Sequence, residues 1–123
     1  MKRTPKISEA EFVVMKAVWE KHPITSKELV DKLSGPSGWN PKTIKTLISR
    51  LVKKGAVKFE CQGKTYLYAP AVEKEECQAE EADSFLNRVF DGALMPMLAH
   101  FAKSRSLSKA EITALKDILN QEN

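Results

Sequence analysis

The chain has 123 residues, 42% of them apolar and 29% charged, enough for one compact domain or a small domain with an extension, and the proportions of a folded water-soluble protein rather than of a disordered chain. No run of about 18 apolar residues exists, so nothing reads as a membrane span. The basic start, Met1–Phe12, lacks the apolar core and small-residue cleavage site of a secretory signal, and a cytoplasmic protein is expected. The net charge of +4 is unevenly spread. Residues 1–70 hold 14 Lys/Arg against 6 Asp/Glu, whereas residues 71–123 hold 6 against 10, which suggests a polyanion-binding part joined to a part with another task.

Cys61 and Cys77 stand 16 residues apart without a nearby histidine, and His22 and His100 are isolated. Free thiols in a reducing compartment are expected, and no metal, since zinc needs about four convergent N/S ligands. There is no nucleophile elbow, no His-Glu-x-x-His pair and, with 5 glycines in all, no phosphate-cradling loop. The sequence predicts no cofactor and no enzymatic activity.

Ser8-x-x-Glu11 is a capping box, in which hydroxyl and carboxylate each satisfy an orphan backbone N–H. It opens a first helix to about Lys21, with Phe12, Met15 and Trp19 on one stripe, stopped by His22-Pro23. Thr25-x-x-Glu28 opens a second, short helix through Leu33, and Ser34-Gly35-Pro36-Ser37-Gly38 reads as a loop. Asn40-Pro41 places Asn at the N-cap and Pro at the first helical position of a third helix, which runs to about Lys54 and ends at Gly55. Val57, Phe59 and Cys61 then alternate with Lys58 and Glu60, the period of a half-buried strand. Gln62-Gly63 is a turn, and Thr65–Ala69 the return strand.

Three helices and a hairpin over residues 7–70 are the order of a winged helix-turn-helix, whose third helix enters the major groove. The fold also serves protein–protein contacts, so the alternative is an adaptor that offers its basic face to an acidic partner. At about 100° per residue, Ile44, Leu47, Ile48, Leu51 and Val52 share one side of the third helix. Lys42, Thr46, Ser49, Arg50 and Lys53 lie opposite, flanked by Thr43 and Lys45. No acidic residue occurs between Asp31 and Glu60, so these cations lack the Glu partners of an ordinary solvated helix face. Lys42, Thr43, Lys45 and Thr46, near the helix start, suit base edges, and Arg50 and Lys53 suit phosphates. Thr25, Ser26 and Lys27 at the start of the second helix, and Lys58 and Lys64 on the hairpin, are further expected contacts.

From Glu73 the composition turns acidic. Phe85, Leu86, Val89 and Phe90 form an apolar face on a fourth helix that Asp91-Gly92 ends. A fifth, roughly Leu94 to Lys103, carries Leu94, Leu98 and Phe101. A third capping box, Ser108-x-x-Glu111, opens a last helix with Ile112, Leu115 and Leu119. Three short helices make a poor core alone. Their faces close either against a second copy, giving a homodimer, or back onto the first domain. The expected organisation is mostly α with a small β-hairpin: a winged-helix DNA-binding domain at 1–71 and a helical dimerisation domain at 72–123.

The segments Asn40–Val57 (NPKTIKTLISRLVKKGAV), Ile7–Trp19 (ISEAEFVVMKAVW) and Ser84–Gly92 (SFLNRVFDG) together resemble the penicillinase-repressor (BlaI/MecI) family of winged-helix transcriptional repressors. The resemblance implies a homodimer on a palindromic double-stranded DNA operator, control of β-lactam-resistance-type genes and a membrane-bound sensor protease as a partner. The family's reading-helix contacts fall on Lys42, Thr43, Lys45 and Thr46, with Lys45 where Arg is frequent. Its Asn–Phe cleavage bond falls on His100–Phe101, which keeps the Phe and lacks the Asn; Phe101 is equally a core or dimer residue. The copper-responsive branch's C-terminal cysteine cluster is absent.

Overall fold

A computed structural model describes residues 4–104 and 107–121. Among the described residues the chain forms helices α1 (Glu9–Glu20), α2 (Ser26–Ser37), α3 (Pro41–Lys53), α4 (Lys74–Phe90), α5 (Leu94–Ser104) and α6 (Lys109–Gln121), with strands β1 (Ile24–Thr25), β2 (Val57–Gln62) and β3 (Thr65–Pro70). They divide into two compact units, Met1–Glu80 and Glu81–Asn123.

In the first unit the local signals act as their chemistry requires. The Ser8 N–H donates to Glu11 Oε1 at 2.9 Å and the Glu11 N–H to Ser8 Oγ at 3.1 Å. Thr25 and Glu28 repeat the exchange at the start of α2, and the Thr43 N–H donates to Asn40 Oδ1 at 2.9 Å at the start of α3. Gly55, at φ +82°, closes α3: its N–H bonds the Val52 carbonyl and the Ala56 N–H the Leu51 carbonyl, both at 3.0 Å, the paired bonds of a Schellman motif. The stop at Gly55 turns the chain directly into β2.

The segment 34–38 is not a loop. α2 continues through Pro36 to Ser37 and ends at Gly38, in the left-handed region at φ +76°. Pro36 deprives the helix of one hydrogen bond, but Ser37 Oγ donates to the Leu33 carbonyl at 2.6 Å and the Gly38 N–H reaches the Ser34 carbonyl at 3.1 Å. These bonds near the C-terminus satisfy carbonyls that a break at Ser34 would leave open.

The hairpin is also part of a larger sheet. β1 pairs antiparallel with β3 (Ile24↔Tyr68, Thr25↔Leu67), giving the order β1-β3-β2. β2 and β3 pair from Val57↔Pro70 to Gln62↔Thr65, so the turn is Gly63-Lys64, with Gly63 at φ +63°. The alternation of β2 is real, but its burial is not that of a half-buried strand. Val57 is buried, whereas Phe59 and Cys61 are exposed, because the chain covers this sheet face only at the root of the hairpin.

The core gathers Val14, Met15 and Val18 of α1, Leu29 and Leu33 of α2, the Ile44, Leu47, Ile48 and Leu51 stripe of α3, Ile24, and Cys77 near the start of α4. Trp19 Nε1 donates to the Val72 carbonyl at 3.1 Å, tying α1 to the segment after β3. Glu11 is the one charged residue of the described core, at 2% exposure. It accepts from Lys54 Nζ, which also donates to the Lys6 carbonyl at 2.9 Å.

In the second unit α4 ends at Asp91 (φ 53°) and Gly92 (φ 81°), where the Gly92 N–H bonds the Leu86 carbonyl at 3.1 Å. The capping box of α6 forms, Ser108 N–H to Glu111 Oε1 at 3.0 Å and Glu111 N–H to Ser108 Oγ at 3.1 Å. None of the described residues of this unit is buried.

Candidate nucleic-acid interface

α3 separates its two faces cleanly. The stripe Ile44, Leu47, Ile48 and Leu51 lies in the core, so rotation about the helix axis is fixed. With it fixed, Lys42, Thr43, Lys45, Thr46, Ser49, Arg50 and Lys53 all stand on the exposed side. The three ion pairs among the described residues are Lys21–Glu28, Lys32–Glu20 and Lys54–Glu11, none of which involves this face. Lys42, Lys45, Arg50 and Lys53 thus form a cationic surface without internal neutralisation, suited to a polyanion. Thr46 Oγ1 donates to the Lys42 carbonyl at 2.9 Å, which leaves its methyl group and an acceptor lone pair for a partner.

The other expected contacts separate. Thr25 serves chiefly as a cap: its hydroxyl accepts the Glu28 N–H and donates to Glu28 Oε1, both at 3.1 Å. Lys21, then the Thr25 N–H and hydroxyl, hold the Glu28 carboxyl down to about 2. At the start of α2 the Ser26 and Lys27 N–H groups lack partners within the helix, with Ser26 half-buried and Lys27 exposed. Lys64 is exposed at the hairpin tip. Lys58 lies on the other side of the sheet, beside Trp19, Val72 and Glu73, and does not join the α3 cluster.

Beside α3 runs a groove of about 390 Å³ whose walls include Ser26, Lys45, Ser49, Phe59, Tyr66 and Tyr68. Phe59 lies 5.1 Å from Tyr66 and 6.2 Å from Tyr68 between ring centroids. Sequence reading missed this feature. The alternation placed Phe59 on the face of Val57, but no local signal told that this face would be left bare, and the pairing of β2 with β3 brings Tyr66 and Tyr68 onto it.

In the second unit, Val89, Leu94, Phe101, Ile112, Leu115 and Leu119 are exposed and Phe85, Leu86, Phe90 and Leu98 half-buried. His100 and Phe101 are exposed within α5. Among the described residues no three His, Cys, Asp or Glu side chains converge on a metal site, and no helix is long and apolar enough to cross a membrane.

The sequence profile of the family described as penicillinase repressor matches residues 7–121. The chain is 39% identical over 121 residues to the penicillinase repressor of Bacillus licheniformis, covering 98% of this chain and 94% of that one. It is 33% identical over 119 residues to the methicillin resistance regulatory protein MecI of Staphylococcus aureus strain N315, covering 97% of each. Among solved structures, the monomeric form of Bacillus licheniformis BlaI in complex with the blaP half-operator superposes with a TM-score of 0.55 at 41% identity, over 62% of this chain and 93% of that one.

Proposed function

The chain belongs to the penicillinase repressor family of winged-helix DNA-binding repressors, and from that premise we propose that it acts as a homodimer on a palindromic operator. Each α3 enters the major groove of one half-site, and the hairpin tip with Lys64 reaches the flanking backbone. The family's members are regulators, not enzymes. The observation that carries this reading is the face of α3: four cations free of ion pairs, with Thr43 and Thr46 among them, on a helix whose rotation the core fixes. Lys42, Thr43, Lys45 and Thr46 address base edges, and Arg50 and Lys53 the phosphates. A half-operator bound by monomeric BlaI is consistent with a full site made of two halves.

Dimerisation falls to the second unit, with Phe85, Leu86, Val89, Phe90, Leu94, Leu98, Phe101, Ile112, Leu115 and Leu119 as the interface. A helical unit with no buried residue among those described leaves these apolar faces open, which a second copy would cover. The proposed targets are genes of the β-lactam-resistance type, read in the cytoplasm, with a membrane-bound sensor protease upstream. Its signal need not arrive by cutting. His100–Phe101 lies inside helix α5, which must unwind before a protease can bind the bond, and Phe101 serves the interface.

Titration of a palindromic operator duplex at several salt concentrations tests this. The expected result is two chains per duplex and a log–log salt slope of about −0.9 for each phosphate contact. A flat slope, or equal affinity for a scrambled duplex, refutes operator recognition; the former with binding to an acidic protein points to the adaptor.

A further inference from the structure

We propose that the groove between α3 and the hairpin is a small-molecule site for a planar aromatic anion of one or two rings, whose occupancy competes with DNA for Lys45. The inference rests on the DNA-binding reading of α3 for the competition, but not for the site itself.

Phe59 and Tyr66 are each 48% exposed, on a sheet face that begins buried at Val57 and Ile24 and is left open toward the tip. A bare pair of aromatic rings in water gains from any partner that covers them. DNA backbone is a poor partner for Phe59, which has no hydrogen-bonding group to offer a phosphate. A flat aromatic molecule suits all three rings: Phe59, Tyr66 and Tyr68 sit at 5.1–6.5 Å centroid separations with tilted to perpendicular planes, so they wall the groove rather than stack on one another.

The polar groups set the charge of the occupant. Lys45 is the one ion on the wall, and Ser26, Ser49, Tyr66 and Tyr68 bring hydroxyls, with no carboxylate among them. Burial, then the neighbouring Tyr66, pushes the Tyr68 phenol above the ordinary range, so it stays a neutral O–H donor at physiological pH. A ring carrying a carboxylate places its apolar body on the aromatics and its charge beside the Lys45 ammonium. The volume of about 390 Å³ is at the small end for ligand sites, which limits the occupant to one or two rings. Lys45 is also a reading residue of α3, so a bound anion neutralises a charge that the operator needs.

The test uses the full-length protein, with 2-naphthoate as probe and 2-naphthalenemethanol as its neutral counterpart, followed by amide NMR shifts. Saturable naphthoate shifts are expected at Ser26, Lys45, Ser49, Phe59, Tyr66 and Tyr68. Lys45→Met should weaken naphthoate by about tenfold and leave the alcohol unchanged, and Tyr66→Ala should weaken both by a similar factor. In a parallel anisotropy assay, naphthoate at about ten times its Kd should weaken operator binding by roughly tenfold. Shifts that fail to saturate by about 10 mM, or that fall in residues 81–121, overturn the site on the unmodified protein alone. Groove binding without any loss of operator affinity overturns the competition. Should duplex DNA itself shift Phe59 and Tyr66 while naphthoate does not bind, the groove is a DNA contact and the proposal fails. Failure of the repressor reading is separate, since it shows as no operator binding in the absence of probe.

Discussion

Replacing Lys54 with Met tests whether the buried Glu11 carboxylate fastens α1 to the end of α3. Removing one partner of a buried ion pair costs about 3–5 kcal/mol, because the other charge is left uncompensated. Here Glu11 is 2% exposed, but the Lys54 side chain is 36% exposed, so water already screens the ammonium. Glu11 also keeps the Ser8 N–H at 2.9 Å. The expected loss is therefore about 2 kcal/mol, a fall of roughly 8–16 °C in Tm for a unit of this size. Both tryptophans, Trp19 and Trp39, lie in the first unit, so urea unfolding followed by their fluorescence reports on that unit. The pH dependence adds a second check. Burial pushes the Glu11 carboxyl up, but the hydrogen bonds and charge of Lys54 together with Ser8 outweigh it and hold the group below the ordinary 4.5. A group depressed in the folded state stabilises above its unfolded value and loses that contribution as pH falls through the folded one. The Lys54→Met penalty should therefore be largest near pH 7 and smaller at a pH below 4.5, where the buried carboxyl of the variant, no longer held down by Lys54, is protonated. A loss below about 0.5 kcal/mol, or an equal loss at both pH values, refutes the reasoning.

Thr43→Ala combined with Thr46→Ala should lower the preference for operator over scrambled duplex by about 1–3 kcal/mol per base contact, while the salt slope stays unchanged; unaltered discrimination means other residues read the bases. Leu98→Asp or Leu115→Asp should yield monomers in analytical ultracentrifugation with weaker operator binding, and a chain that stays dimeric after both changes has its interface elsewhere. Glu28, held at about 2, should contribute stability above its unfolded value and lose it as pH falls through about 2. Carboxyl NMR titration should place its midpoint there and show Lys21→Met moving it upward; an ordinary midpoint in the parent refutes the pairing. Gly38→Ala, at φ +76° with open space around the added carbon, should cost about 1 kcal/mol through backbone strain alone; a neutral result in urea unfolding indicates that the left-handed turn is not required.

Much of the fold was legible because its signals are local. A capping box spans four residues, a Schellman glycine closes bonds to carbonyls three and five residues back, and the apolar stripe of α3 has the period of one helix. Each is decided within a turn or two of chain. The same locality misled at Ser34–Gly38, where Gly and Pro read as a loop while the Ser37 and Gly38 bonds keep the helix intact. β1 left no mark in the sequence, since two residues are too few to show alternation; it exists only because β3 offers an edge to pair with. The pairing of Glu11 with Lys54, 43 residues apart, had no sequence signal either. It removes Lys54 from the basic surface in which its position in the chain would place it.

The sequence by itself determined the order of the helices and the hairpin and which side of α3 carries charge, since composition and periodicity act along one chain, and its resemblance to known repressors pointed to the family. The unequal distribution of its charge between the two parts of the chain was legible there too. Only the tertiary structure decided which of those cations are free. Packing the Ile44–Leu51 stripe leaves Lys42, Lys45, Arg50 and Lys53 exposed, closes Lys54 onto Glu11 and puts Lys58 on the far side of the sheet. It also left Phe59 and Tyr66 bare beside Lys45, because the sheet extends beyond the core that could cover it, and burial depends on neighbours that no local pattern contains.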